Sequence, residues 1–340
     1  MNKFGKLLVI SGMVAALGLA TSCGDSASGG ASAPKKAPPI KMDLPWKTVK
    51  MQQGKELNIA TLANESKMQF SDNSEAGAIA KAGDVLYIRA DKSNAIMQAK
   101  LEGATLKVLK ADFIKDISPR SFLTTDNKNL YYSSAKFGIY FSDPTGKTSL
   151  VTKNCITALV PIPDKNQGMT FINNNPVKLF ELNQEKLGKE VRDVIPDYKT
   201  RNLLPTPGGL IYDENMIYFY GSDLEKETKW TVGKVVAYDL NGKQKFVLGG
   251  KHDPNRSPGY LAGAADVAVT RDYIFVFDMN IRLIHIFNKQ DGKFIDRIDT
   301  DKLFDGQRGV HLMTYVDNNV LAIVRATKPT DPDKVFMLHL

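Results

Sequence analysis

Four of the ten arginines in this chain occupy comparable positions: Arg120 in Ser-Pro-Arg-Ser, Arg201 in Lys-Thr-Arg-Asn, Arg256 in Asn-Arg-Ser-Pro and Arg308 in Gln-Arg-Gly-Val. Each stands in a short polar break just ahead of an apolar, strand-like run. A guanidinium is a planar fork of donors, so four of them around one opening would recognise carboxylate, sulfate or phosphate in bidentate fashion. Tyr260 and His311 lie on the same breaks and would add an aromatic and a polar contact. The alternative use of such arginines is structural, pairing with carboxylates or carbonyls of the neighbouring unit.

Catalytic patterns are missing from the sequence. His252, His285, His311 and His339 are far apart and none forms a His-x-x-x-His or Cys-His pair at ligand spacing. There is no Gly-x-Ser-x-Gly elbow and no phosphate-binding Gly-x-x-x-x-Gly-Lys loop. Asp331-Pro332-Asp333 lacks the spaced carboxylates of a calcium loop and reads as a turn. No catalytic residue, metal ligand or cofactor is therefore assigned.

A second chemistry is written at the N-terminus. Lys3 and Lys6 provide a positive head, Leu7 to Ala20 a 14-residue apolar run, and Ala20-Thr21-Ser22 the small residues before Cys23. This order is that of a secretory signal, and the run is shorter than the roughly 20 residues of a spanning helix. With a cysteine directly after the small residues, the segment resembles a bacterial lipoprotein signal. The resemblance implies that residues 1–22 are removed and that Cys23 is acylated and anchored in the bilayer. In a diderm bacterium, Gly24 rather than an aspartate after that cysteine implies, on the same resemblance, the outer membrane rather than retention at the inner one. Residues 23–43, rich in Gly, Ser, Ala and Pro at their start, read as a flexible leash, with one domain over 44–340.

The formal charge of +8 is spread along the chain without a block of like charges, which argues against nucleic acid as a partner. If Cys23 is acylated, Cys155 has no second cysteine to pair with, and a core of this size must hold by packing. Cys155 sits in the apolar run 155–160 and reads as a buried structural thiol. The chain is expected to be a monomer.

Beyond the leash, the pattern is one of paired strands. Second strands align at Leu86, Leu130, Met169, Ile217, Ile274 and Leu321, at steps of 44, 39, 48, 57 and 47. A period in the forties built from short strands is that of a propeller blade, and six are expected. The fifth unit, with Val267-Ala268-Val269, Phe275-Val276-Phe277-Asp278, Arg282-Leu283-Ile284-His285-Ile286-Phe287 and the Asp291-Gly292-Lys293 turn, resembles an NHL repeat. On that likeness the chain resembles a six-bladed propeller lipoprotein of the bacterial envelope. Quinoprotein-type propellers share the Asn241-Gly242-Lys243 and Asp291-Gly292-Lys293 turns, but have eight blades and tryptophan-docking motifs, whereas this chain has only Trp46 and Trp230. Two β-sandwich domains are the alternative architecture.

The sixth unit stops after its third strand, 334–340, while a spare strand, Glu56 to Leu62, precedes the first unit. Unpaired strand edges invite aggregation, so the spare strand is expected to pair beside 334–340 and close the ring. The functional expectation is a tethered binding or scaffold protein that uses one propeller face for a protein, peptide or glycan. The alternative is an enzyme centred on the channel, a lactonase-like hydrolase or a lyase holding one divalent cation.

Overall fold

The structure is a computed structural model that describes residues 38–65, 79–90, 95–117, 122–133, 138–153, 158–163, 165–171, 175–196, 203–225, 228, 230–304, 309–328 and 330–340. Cys23, Cys155, Arg120, Arg201 and Arg308 lie outside the described residues. The chain divides into two units, 1–38 and 39–340, and the fold below is that of the second.

Among the described residues it is all-β apart from one short helix, α1 (Thr300–Leu303). Four antiparallel sheets of four strands follow one another: β7 (Leu123–Thr125) to β10 (Thr148–Thr152), β11 (Ala158–Ile162) to β14 (Lys186–Ile195), β15 (Leu203–Asp213) to β18 (Gln244–Gly249), and β19 (Asp266–Val269) to β22 (Phe294–Asp299). Their second and third strands are β8 (Leu130–Ser133) and β9 (Ile139–Ser142), β12 (Gln167–Phe171) and β13 (Val177–Asn183), β16 (Met216–Leu224) and β17 (Thr231–Asp239), and β20 (Tyr273–Asp278) and β21 (Leu283–Asn288). The remaining strands form one nine-stranded sheet. It contains β3 (Ile79–Ala82), β4 (Val85–Ala90), β5 (Ala95–Glu102) and β6 (Thr105–Ile114) from the start of the domain. From its end come β23 (Val310–Val316), β24 (Asn319–Val324) and β25 (Lys334–His339).

The joint between these two groups is β2 (Glu56–Asn64). It runs antiparallel to β25 from Asn58↔His339 to Leu62↔Val335 and touches β6 in parallel only at Ala63↔Thr105 and Asn64↔Leu106. The strand foreseen as a closing element therefore pairs with the last strand of the chain. A further strand, β1 (Lys47–Lys50), pairs with the other edge of β2. The docked chain starts by Ile40, whose N–H donates to Asp317 and whose carbonyl accepts from Asn319, inside the stretch read from sequence as leash.

The arrangement is that of a propeller. First strands lie against one another in the order β3, β7, β11, β15, β19, β23 and back to β3. One apolar cluster lies within the nine-stranded sheet, between β4–β6 and β24–β25, and others lie between consecutive sheets. Tyr218, Val235, Val267 and Ile274 join the sheets of β15–β18 and β19–β22, and Phe275, Ile284, Val320 and Phe336 join the latter to β23–β25. A central strand sandwiched in this way is buried on both faces, which is why β20, Tyr-Ile-Phe-Val-Phe-Asp, reads as a continuous apolar run rather than an alternation. The fourth strand β14 faces solvent along its polar middle.

Candidate functional site

Two places in this framework gather chemistry. The first is the central channel, a cavity of about 430 Å³ to which all six first strands contribute, through Ile79, Leu123, Val160, Leu210, Val267 and Leu312 among others. Asp266, the first residue of β19, lies at the end where the first strands begin, and its side chain is almost wholly buried. Its Oδ1 accepts from the Val267 N–H at 2.8 Å and from the Tyr220 hydroxyl at 3.4 Å, and its Oδ2 accepts from the Leu312 N–H at 2.8 Å. His311 stands beside it, with Nδ1 4.0 Å from Oδ2. Burial pushes the Asp266 carboxyl up to about 7 despite those three donors, which pull the other way. The same burial raises the Tyr220 hydroxyl well above the ordinary phenol range.

This group joins three sheets, since Tyr220 comes from β16, Asp266 from β19, and Leu312 and His311 from β23. A carboxyl poised near neutrality can move a proton, but here both its oxygens also carry structural bonds. At the opposite end of the channel, Lys289 pairs with Asp213 and with Glu214, a further tie between sheets. Among the described residues no three His, Cys, Asp or Glu side chains gather as a metal-binding group.

The second place is the loop face that carries the connection from β18 to β19. That loop is held by Asp278, which accepts from the backbone N–H groups of Ala262, Asn280 and Ile281, while the Asn280 amide donates to the Ala262 carbonyl at 2.9 Å. Gly233 lets the loop approach. A Cβ there would lie 2.6 Å from the Ala264 nitrogen, and its own N–H donates to the Leu261 carbonyl at 2.9 Å.

On this support three rings form a shelf. The His252 ring stacks on the Trp230 indole with centroids 5.0 Å apart and planes 9° from parallel. Tyr260 meets His252 edge-on at 6.2 Å. Trp230 projects from the β16–β17 hairpin and is 60% exposed, although large aromatics are usually buried. Around the rings, Glu225 accepts from the His252 N–H at 3.2 Å and from the Thr228 hydroxyl, and Asp253 accepts from the N–H groups of Asn255 and Ser257, each at 2.8 Å. The hydroxyls of Thr228 and Ser257, followed by the N–H donors, hold these two half-buried carboxyls below their ordinary range. Burial, then the negative charge of Asp278, lifts the Tyr260 hydroxyl.

Of the sequence candidates that are described, Arg256 and Tyr260 share this loop, and His311 belongs to the channel group. Arg256 adopts φ +50°, and its carbonyl accepts from the Arg297 guanidinium at 2.8 Å, which sets its backbone beside the outer strand β22 rather than at the channel. Its own guanidinium makes no hydrogen bond or ion pair with any described residue. Trp230, His252, Asp266 and Tyr220 were not singled out from sequence. The signal available for Trp230 was a lone indole in the charged stretch Glu225-Lys226-Glu227-Thr228-Lys229.

The comparisons with known proteins bear on the fold. No protein-family profile matches this sequence, and no curated protein matches it. Among solved structures, it is similar to the Kuenenia stuttgartiensis hydrazine synthase, with a TM-score of 0.50 at 11% identity over 79% of this chain and 97% of that one. The shared feature is the fold alone. The BamB of Moraxella catarrhalis gives a TM-score of 0.41 at 14% identity over 89% of this chain and 96% of that one. A nidogen/laminin complex gives 0.46 at 11% over 75% and 93%.

Proposed function

We propose that this protein is an envelope lipoprotein, acylated at Cys23 and tethered to the outer membrane, whose six-bladed propeller binds a protein, peptide or glycan on its loop face. The six-bladed reading is supported by the ring of six first strands and by the apolar clusters between consecutive sheets. It treats β2 as the outer strand of the last blade and its two-residue contact with β6 as a minor seam.

The observation that carries the binding function is the exposed Trp230, fixed by stacking on a rigid scaffold. An exposed, immobilised aromatic contributes nothing to the core and offers a large contact area at low entropic cost to a partner.

The test is site-specific photocrosslinking in cells, with probes at Leu224 and Ser257 on the loop face and at Asn241 on the β17–β18 turn. Adducts from the first two that disappear in Trp230→Ala support the reading; adducts only from Asn241 overturn it. Cys23→Ser should release the chain from the membrane fraction, and retention there would remove the tether.

One observation favours a second reading, a channel-centred enzyme: the near-neutral carboxyl of Asp266 on the channel wall beside Tyr220 and His311. One divalent cation per purified chain, by elemental analysis, would favour it.

A further inference from the structure

We propose that the Trp230 shelf binds a neutral sugar ring, so that the partner of the loop face is an uncharged glycan. The inference rests on the loop-face reading and names its ligand class.

The indole has two faces. His252 covers one, and among the described residues no other ring or ammonium group lies over the other. The open face is flat, electron-rich and held in place from behind. It suits a partner that presents a patch of polarised C–H groups, as a pyranose does from one side of its ring.

The surroundings decide between ligands. A sugar's hydroxyls both donate and accept, and the shelf offers both kinds of group. Glu225 and Asp253 are acceptors fixed by backbone N–H bonds, with lone pairs to spare. The Arg256 guanidinium, unpaired among the described residues, is a donor fork, and the Tyr260 hydroxyl can do either. Two ionised carboxylates beside the rings disfavour a sulfated or uronate-bearing chain. Immobilisation matters too, because a ring already locked by stacking loses little freedom on binding.

The chain has only two tryptophans, which makes the test direct. The full mature protein is applied to an array of neutral hexose and N-acetylhexosamine oligosaccharides, with uronate and sulfated oligosaccharides alongside. In a Trp46→Phe background, Trp230 is the sole indole fluorophore, and the neutral glycan that binds best is titrated against it. Expected are binding of at least one neutral glycan, an emission shift on titration, at least a tenfold affinity loss in Trp230→Ala with an unchanged melting temperature, and partial recovery in Trp230→Phe.

Absence of binding to any neutral glycan overturns the inference. So does binding that survives Trp230→Ala, or binding confined to acidic glycans and lost in Arg256→Ala. Failure here together with Trp230-dependent crosslinks from Leu224 and Ser257 would leave the loop-face reading standing with a protein partner. Crosslinks confined to Asn241 would remove both.

Discussion

The Asp266 carboxylate accepts the backbone N–H of Leu312 at 2.8 Å, so a single side chain at the head of β19 ties it to the next first strand, β23. The same carboxyl also bonds Val267 and Tyr220. It is at once a joint between three sheets and a titratable group.

This joint gives stability a pH dependence with a definite sign. The folded value, about 7, lies above the ordinary 3.8, so the folded state holds the proton more tightly than the unfolded one. The contribution is full below 3.8 and is lost as pH rises through about 7, an effect on the order of 4 kcal/mol. Asp266→Asn should flatten the decline in melting temperature between pH 4 and 8 while costing roughly 1 kcal/mol at pH 5 for the lost acceptor. Thermal unfolding across that range checks both effects; an unchanged slope would show that the carboxyl does not titrate there.

His285 should act in the opposite direction. Its ring is fully buried on β21 and neither nitrogen has a hydrogen-bond partner among the described residues. Burial, then the Arg297 charge, pushes it down to about 3. A histidine depressed in the folded state keeps its contribution above its ordinary value of 6.5 and loses it as pH falls towards about 3. His285→Leu should therefore raise the melting temperature, and more at pH 5 than at pH 8. Equal gains at both pH values would refute the titration.

The pairing of β2 with β25 should be essential to the whole domain. Ala60 and Met337 are register partners and both are buried. An oxidised Ala60→Cys/Met337→Cys pair should raise the melting temperature by closing nearly the entire chain into a loop. Removal of residues 334–340 should abolish cooperative unfolding. A truncated chain that melts at the parental temperature would show that the seam is dispensable.

Gly233 should link loop position to binding. A methyl group there would collide with the backbone of Gly263 and Ala264, so Gly233→Ala should displace the loop that carries His252 and Tyr260. The expected cost is about 1–3 kcal/mol of stability, with weaker glycan binding even at temperatures where the variant is folded. Calorimetry and the Trp230 fluorescence titration measure the two separately.

The strands were legible because sandwiched strands are apolar on both faces. Leu86, Leu130, Met169, Ile217, Ile274 and Leu321 each lie in the second strand of their group, β4, β8, β12, β16, β20 and β24. The spare strand was legible by the same signal, with Leu57, Ile59, Ala60 and Leu62 buried. β1 was not, because Lys-Thr-Val-Lys covers an outer edge and carries no apolar period. The candidate sites were much less legible. Asp266, Tyr220 and His311 meet only when three sheets are brought together, and no spacing rule spans such a gap. Arg256 and Tyr260 share one loop in the sequence, but the path of that loop beside β22, towards Arg297, depends on tertiary contacts.

The pairing of β2 with β25 also governs when the domain can finish folding. β2 is synthesised well over two hundred residues before its partner, so this pairing cannot form until residues 335–339 have been made. Until then β2 presents to β25 an edge of unpaired backbone groups, the kind of edge on which chains cross-associate. The late, long-range contact sets a slow last step. A chaperone that shields residues 56–64 during that interval would protect the edge that β25 later covers.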